Sequence, residues 1–512
     1  MLAHVESCSL LGIDAYIVDV EVDVSSGLPS FDLVGLPDTS VRESKERVRA
    51  AIRNTGYEFP IRRITINLAP ADTKKEGSSL DLPIAIGILA ATEQVQQERI
   101  EGYALTGELS LNGDIRPVTG VLPMALELKE KGFKGFIVPV DNADEAAIVE
   151  GLDVYPMENL KKVIDFFNGT DKPKHYTLPA REHELPNADL DFKDIKGQES
   201  LKRAFEIAAA GNHNILMVGP PGAGKTMIAK RMPSILPRMT FDEALEVTKI
   251  YSTAGLLPKG SGLMRVRPFR SPHSSISVSS LVGGGRIPKP GEITLSHYGV
   301  LFLDELPEFS REALEVLRQP LEDEEVTISR VNATITYPAK FLLVAAMNPC
   351  ACGYYGDPHR ECICSVSQVM RYQNKISGPL LDRIDMQVEV PAVTYKELES
   401  KTEGESSEEI RRRVERAREL QIERYNKLNI KYNNQLNLNQ IYKFCSLGSK
   451  EKNLMKTAYE KFKLTARGYT SILKLARTIA DLDESQLIKE DHILEALQYR
   501  KPERKTWVRY GF

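Results

Sequence analysis

Gly219-Pro-Pro-Gly-Ala-Gly-Lys225-Thr226 lies between an apolar run, NILMV, and a helix-forming run, TMIAK. Glycines at this spacing let backbone N–H groups close around phosphate oxygens, and the helix that follows presents its positive end to them. Gly219, Pro220, Pro221, Gly222, Ala223 and Gly224 then form a cradle, Lys225 reaches the terminal phosphates, and the Thr226 hydroxyl ligates Mg2+. In this strand–loop–helix setting the motif predicts an ATP or GTP site rather than a chance Gly-rich turn. Downstream, the apolar run in GVLFLDELPEF ends in Asp304-Glu305. On a strand expected beside the phosphate-loop strand, Asp304 suits Mg2+ and Glu305 suits polarising the attacking water. Acidic pairs at strand ends are common, so this pair gains meaning only from the phosphate loop. The next apolar run, FLLVAAM, ends at Asn348, which is placed to touch the terminal phosphate or its water.

Two residues beyond Asn348 begins CACGYYGDPHRECIC, with four of the chain's six cysteines in two Cys-x-Cys pairs, Cys350/Cys352 and Cys362/Cys364. Four thiolates presented by two hooks across a short loop suit a structural tetrahedral Zn2+, with His359 able to replace one of them. Buried free thiols and a redox-labile cluster are the alternatives, the latter disfavoured in a reducing compartment.

Chemistry of this kind needs a sheet to align the strand tips, and the chain is long enough for several domains: 512 residues, 42% hydrophobic and 27% charged. Residues 1–170 mix β-branched runs such as AYIVDVEVDV with helical stretches, which predicts an α/β or α+β domain. Residues 171–189 hold three prolines among charged residues and read as a linker. Residues 190–394 alternate apolar strands with helices, the pattern of a parallel sheet covered by helices. From 395 to 512 the strands stop, and EEIRRRVERARELQIERY and TSILKLARTIADL read as helices of an all-helical lid, ending in a basic tail with the only Trp. The net charge of −4 gives no global attraction to nucleic acid, so such a site has to be local. The opening MLAHVESCSLLGIDAY is unlike a signal peptide, and the longest apolar run, Leu80 to Ala91, is too short to span a bilayer. A cytoplasmic protein without membrane contact is expected.

GPPGAGKT, LFLDELPEF, AAMNPC and GPLLDRID, in this order, resemble the magnesium-chelatase-like branch of the AAA+ ATPases, most closely the ComM/YifB family. RPFRSPHSSIS, LVGGGRIPKPGEITLSHYGVLFLDE and the C-terminal ARTIADL and EALQYR extend the resemblance over nearly the whole chain. It implies a sensor role for Asn348, an arginine finger at Arg383 acting on a neighbour's ATP, and a second sensor arginine, Arg467, on the lid. The bland reading of either arginine is a local ion pair. The resemblance also implies assembly as a ring, usually a hexamer, and an ATP-driven helicase promoting branch migration of DNA during recombination in natural transformation. Insertions in helicase-like relatives project into the central channel. Here the stretch carrying Arg265, Arg267, Arg270, Arg286 and Lys289, and EVTISRVNATITYPA, which reads as a β-hairpin with Arg330 near its tip, stand where those insertions occur. Solvated surface charge is the alternative for each residue.

KKEGSSLDLPIAIGILAA followed by TGELSLNGDIRPVTGVLPMALEL resembles the Lon-type serine protease domain, and also the inactive Lon-like domain of RadA proteins. Ser79 stands at the nucleophile's place, yet Leu122 stands where the partner lysine belongs, and a serine without a base is a weak nucleophile. Lys74, Lys75 and Lys129 are near in sequence, but distance along the chain does not decide distance in the fold. The expected α/β architecture is therefore an N-terminal Lon-like α+β domain without proteolysis, a parallel-sheet AAA+ core and a small helical lid. Its partners are ATP, Mg2+, structural Zn2+, branched or single-stranded DNA and copies of itself. A metal-chelatase motor subunit and an ATP-dependent Lon-like protease are the competing functions.

Overall fold

The computed structural model describes residues 1–75, 77–171, 173–179, 190–258, 260, 262–285, 288–330, 333–358, 360–392, 395–399, 404–428 and 430–500. Arg286, the hairpin tip, the side chain of Arg330, His359 and the basic tail therefore lie outside the described residues, as does most of the Pro-rich linker. The chain forms two compact units: Met1–Glu182 with Phe241–Met264, and His183–Thr240 with Arg265–Phe512.

The first unit is built on seven strands: β1 (Leu2–Leu11), β2 (Asp14–Ser25), β3 (Ser30–Val34), β4 (Arg63–Ala69), β5 (Tyr103–Leu105), β6 (Gly135–Pro139) and β7 (Asp153–Met157). Their order is β3-β4-β2-β1-β5-β6-β7, antiparallel at β1/β2 and β2/β4 and parallel elsewhere. The period-two pattern of AYIVDVEVDV puts Val18, Val20, Val22 and Val24 on one buried face. Helix α1 (Ser44–Asn54) packs on α2 (Asp81–Ala91), and α2 covers β1 and β2. All eleven residues of α2 are buried, so the apolar run of the sequence is a core helix. Helix α3 (Val121–Glu130) packs on β2 and on the helix Phe241–Ala254. That last helix lies in sequence between the phosphate loop and the Asp304 strand but belongs to this unit.

The second unit holds a five-stranded parallel sheet of β8 (Ile215–Val218), β9 (Phe269–Arg270), β10 (Val300–Leu303), β13 (Leu342–Met347) and β14 (Met386–Glu389). The hairpin of β11 (Glu325–Arg330) and β12 (Ala333–Pro338) interrupts the chain between β10 and β13. ILMV, VLFL and LLVAAM are buried along their whole length, as strands covered on both faces must be. The sheet order is β9-β10-β13-β8-β14. This corrects one expectation: the Asp304 strand, β10, is not beside the phosphate-loop strand, β8, because β13 is inserted between them. Strand order is decided by how the crossover helices pack on the sheet, which a single strand's composition does not encode.

Helices α4 (Glu199–Gly211) and α5 (Lys225–Ile235) flank the sheet, and α6 (Val366–Gln373) follows the cysteines. The chain then turns helical: α7 (Ser407–Arg424), α8 (Leu438–Phe444), α9 (Ser449–Phe462), α10 (Ala466–Leu482) and α11 (Glu490–Gln498). Their apolar faces join the sheet's own core, with α7 and α10 against α4. Buried Asp481 knits these helices, accepting from Arg424, Arg477 at 3.1 Å and Asn433 at 2.9 Å. No helix among the described residues is long and apolar enough to cross a membrane.

Candidate functional site

β8 ends at Val218, the chain turns through the glycines, and α5 begins at Lys225, with Gly224 at φ 83° as its N-cap. That left-handed conformation is strained for any residue with a Cβ, so the glycine is a geometric requirement of the loop. Gln198 braces the loop from outside, donating from Nε2 to the Ala223 carbonyl at 2.8 Å. The parallel register brings the tips of β8, β10 and β13 to one edge. There Lys225 Nζ donates to the carbonyls of Gly219 (2.7 Å) and Pro220 (2.9 Å) and to Asn348 Oδ1 (3.1 Å). Thr226 Oγ1 donates to Asp304 Oδ2 at 2.6 Å. Burial lowers the Lys225 ammonium's pKa, while Asp304 and Glu305 pull it upward. Glu305, at φ 52°, is exposed beside them.

These groups bound a cavity of about 410 Å³ made by residues 221–227, Asp304, Glu305, Met347 and Asn348. A buried cation, a hydroxyl–carboxylate pair, a second carboxylate and a carboxamide around a glycine loop and a helix N-terminus are what a triphosphate with Mg2+ requires. The structure thus brings together the phosphate-loop residues, Asp304, Glu305 and Asn348. It leaves two of the sequence candidates out. Arg383 and Arg467 lie on a different cavity of about 800 Å³, against Glu322. Arg383 Nη2 pairs with Glu322 and Nη1 donates to the Pro379 carbonyl at 2.9 Å; Arg467 Nη1 is 3.6 Å from Glu322 Oε1. Glu322 went unnoticed in the sequence because it carries no motif. Asn214 did too: it takes the Leu343 amide on Oδ1 (2.9 Å) and donates from Nδ2 to the Arg383 carbonyl (3.1 Å), tying β13 to the arginine's backbone.

The cysteine loop touches this site. Gly353 is so close to Pro221 that a Cβ there would stand 2.6 Å from the proline Cδ. The Sγ atoms of Cys350, Cys352 and Cys362 are 3.3, 3.5 and 3.7 Å apart, and all four thiols lie within 4.8 Å of one another. Burial raises the Cys352 thiol, but the Tyr354 amide and the Cys350 thiol outweigh it and bring it to about 6. Burial together with Cys352 and Cys350 pushes Cys362 up to about 12.

On the hairpin, Val326, Ile328 and Tyr337 are buried, and Tyr337 donates to the Pro288 carbonyl at 2.7 Å, so the two insertions form one body. The other face pairs hydroxyls across the strands, Thr327 with Thr336 (3.1 Å) and Ser329 with Thr334 (3.0 Å). Arg267 and Arg270 are taken up locally: Arg267 donates to the Pro237 and Tyr298 carbonyls, and Arg270 grips Glu292 at 2.6 and 2.7 Å. In the first unit, Ser79 is buried before α2 and Leu122 is buried in α3, its amide donating to Glu145 Oε1 at 2.8 Å. Lys75 is buried, with Nζ directed to the Pro70 and Thr73 carbonyls.

Residues 191–398 match the family described as magnesium chelatase, subunit ChlI. Residues 20–142 match the subunit ChlI of Mg-chelatase family, and residues 404–500 its C-terminal family. Over 505 residues the chain is 45% identical to competence protein ComM of Haemophilus influenzae, covering 98% of this chain and 97% of that protein. It is also 45% identical to the uncharacterized protein YifB of Escherichia coli, over 98% of each chain. A shorter likeness, 26% identity over 167 residues, relates 29% of the chain to 30% of Lon protease 2 of Bacillus subtilis.

Proposed function

Because this chain belongs to the ComM/YifB family of magnesium-chelatase-like AAA+ ATPases, we propose that it is an ATP-driven ring motor that moves along branched or single-stranded DNA. The observation that carries the reading is the division of the hydrolytic machinery. Cradle, metal-binding and water-polarising residues share one cavity, while the finger candidate Arg383 and the sensor candidate Arg467 stand at another. Phosphoryl transfer needs a cation to offset charge developing between the phosphates. If Arg383 and Arg467 supply it, they act on a neighbour's nucleotide, and the active unit is a ring, a hexamer by family resemblance. Thr226 and Asp304 would hold Mg2+, which would supply charge neutralisation for the phosphates, and Glu305 would take the proton of the attacking water.

Two features support DNA as the track. The hairpin presents an exposed face lined by the hydroxyls of Thr327, Ser329, Thr334 and Thr336, and hydroxyls suit a phosphate backbone. The Haemophilus relative is named a competence protein, which supports a place in recombination of incoming DNA during transformation. Four thiols at these separations suit one structural Zn2+, since tetrahedral ligands about 2.3 Å from zinc stand about 3.8 Å apart. A chelatase motor is the second reading, favoured by the family descriptions that cover the chain. Proteolysis is disfavoured because Leu122 offers no base and the Lys75 amine is directed to carbonyls.

ATP hydrolysis by the purified chain, measured with and without a four-way DNA junction and single-stranded DNA, tests the reading. Stimulation by either DNA is expected. An ATPase indifferent to both would favour the chelatase motor.

A further inference from the structure

Glu322 sits on the short helical turn Pro320–Asp323, two residues ahead of β11. It is the one carboxylate within ion-pair reach of both Arg383 and Arg467 among the described residues; Glu322 and Arg467 are half exposed, whereas the Arg383 side chain is 13% exposed. The Arg383 guanidinium is not fully satisfied by this arrangement, since its Nε is buried without a hydrogen-bond partner. The Arg383 pairing is also what chiefly holds the Glu322 carboxyl below its usual range, with burial opposing and Arg467 helping. An anion gripped by two guanidiniums at the surface of a large cavity has the electrostatics of a phosphate site whose acceptor is supplied by the chain itself.

The other side of this turn is anchored. Glu324 accepts from Gln435 Nε2 at 2.9 and 3.0 Å and from the Tyr432 hydroxyl at 3.2 Å, and its carbonyl accepts the Ala339 amide at 2.8 Å, closing the base of the hairpin. Glu322 thus stands two residues from Glu324, the residue that joins the base of β11 to Gln435 and Tyr432.

We propose that Glu322 is a positioning residue that holds Arg383 and Arg467 by standing in for phosphate oxygens, and that its exchange against a neighbouring subunit's ATP phosphate transmits nucleotide state to the hairpin. The proposal rests on the reading that the two arginines act on a neighbour's nucleotide. Exchange of one anion for another costs little net charge rearrangement, so the arginines stay paired throughout and only the hairpin base changes its tether. Without the carboxylate, the arginines engage the neighbour's phosphate with no competitor, and the hairpin no longer senses the exchange.

The test uses full-length protein in assembled rings and compares Glu322→Gln, Glu322→Asp, and Glu322→Gln combined with Arg383→Ala. DNA-free hydrolysis by Glu322→Gln is expected to rise roughly two- to fivefold with a lower KM for ATP, the span of an ion pair at this exposure. Stimulation by single-stranded DNA or a four-way junction falls towards none. Glu322→Asp, which keeps the charge with a shorter reach, falls between wild type and Glu322→Gln, and decides the question if the glutamine variant fails to assemble. The double variant is expected to be as inactive as Arg383→Ala alone, because Glu322 acts through that arginine. A DNA-free rate unchanged or lowered in both Glu322 variants, or additive losses in the double variant, overturns the proposal. Failure of Arg383→Ala and Lys225→Ala subunits to activate one another would instead remove the underlying reading of a shared site.

Discussion

Glu305 differs from its neighbours in what its loss should do. Lys225 and Thr226 hold the cradle together through contacts to Gly219, Pro220, Asn348 and Asp304, while Glu305 stands exposed on the cavity without a part in that cradle. Glu305→Gln is therefore expected to bind ATP normally and to lower turnover by roughly 10²- to 10⁴-fold, the range for removing a general base. Lys225→Ala should weaken binding itself. Equilibrium binding of a fluorescent ATP analogue beside steady-state phosphate release separates the two, and normal hydrolysis by Glu305→Gln would refute the assignment. Ser79 makes the opposite case. Its hydroxyl has no amine supplied by Leu122, whose own amide is held by Glu145. Unfolded casein incubated with the protein and ATP should stay intact, and Ser79→Ala should leave ATP hydrolysis unchanged. Cleavage abolished by that substitution would make the protease reading the better one.

Among the elements, the cysteine loop has the clearest mechanical position, since it leaves β13 at the nucleotide cavity and returns along α6. Gln373 of α6 donates to the Pro349 carbonyl at 3.0 Å, which closes the loop on itself. Elemental analysis is expected to find about one zinc per chain, lost in Cys350→Ser with a fall in thermal stability or ring assembly that exceeds the change in ATP affinity. Metal-free wild-type protein would return the four cysteines to free thiols. Gly353 is where the loop meets the phosphate loop. It has φ 88°, and a Cβ there meets Pro221. Gly353→Ala combines backbone strain of about 1–2 kcal/mol with this overlap. ATP affinity should drop roughly tenfold while zinc is retained; unchanged affinity would show that the two loops move independently.

For the whole molecule, the proposed action of Arg383 and Arg467 on a neighbour's nucleotide rests on their standing at a different cavity from the phosphate loop of their own chain. Arg383→Ala rings should be inactive although each retains an intact nucleotide cavity. Mixed with Lys225→Ala subunits, they should regain part of the activity at interfaces that join a whole cavity to a whole finger. Silence at every mixing ratio, with rings seen by light scattering, would count against action between subunits.

What the sequence determined by itself is what local spacing encodes. The glycine loop, the alternation of β2 and the hairpin of β11 and β12 are patterns over a few residues, and period dictates which side chains of a strand share a face. Thr226 reaches Asp304 because strand tips in a parallel sheet share one edge, although the strand adjacency expected from the sequence does not hold. Only the tertiary structure decided that β13 separates β8 from β10, and that the helix Phe241–Ala254 belongs to the first unit. It alone showed that Arg270 is spent on Glu292 while Arg383 and Arg467 converge on Glu322. The reason is that a charge carries no record of its partner: the pairing of Arg383 with Glu322, or of Asn214 with Leu343, depends on how distant segments pack, and nothing in either residue's sequence neighbourhood reports it.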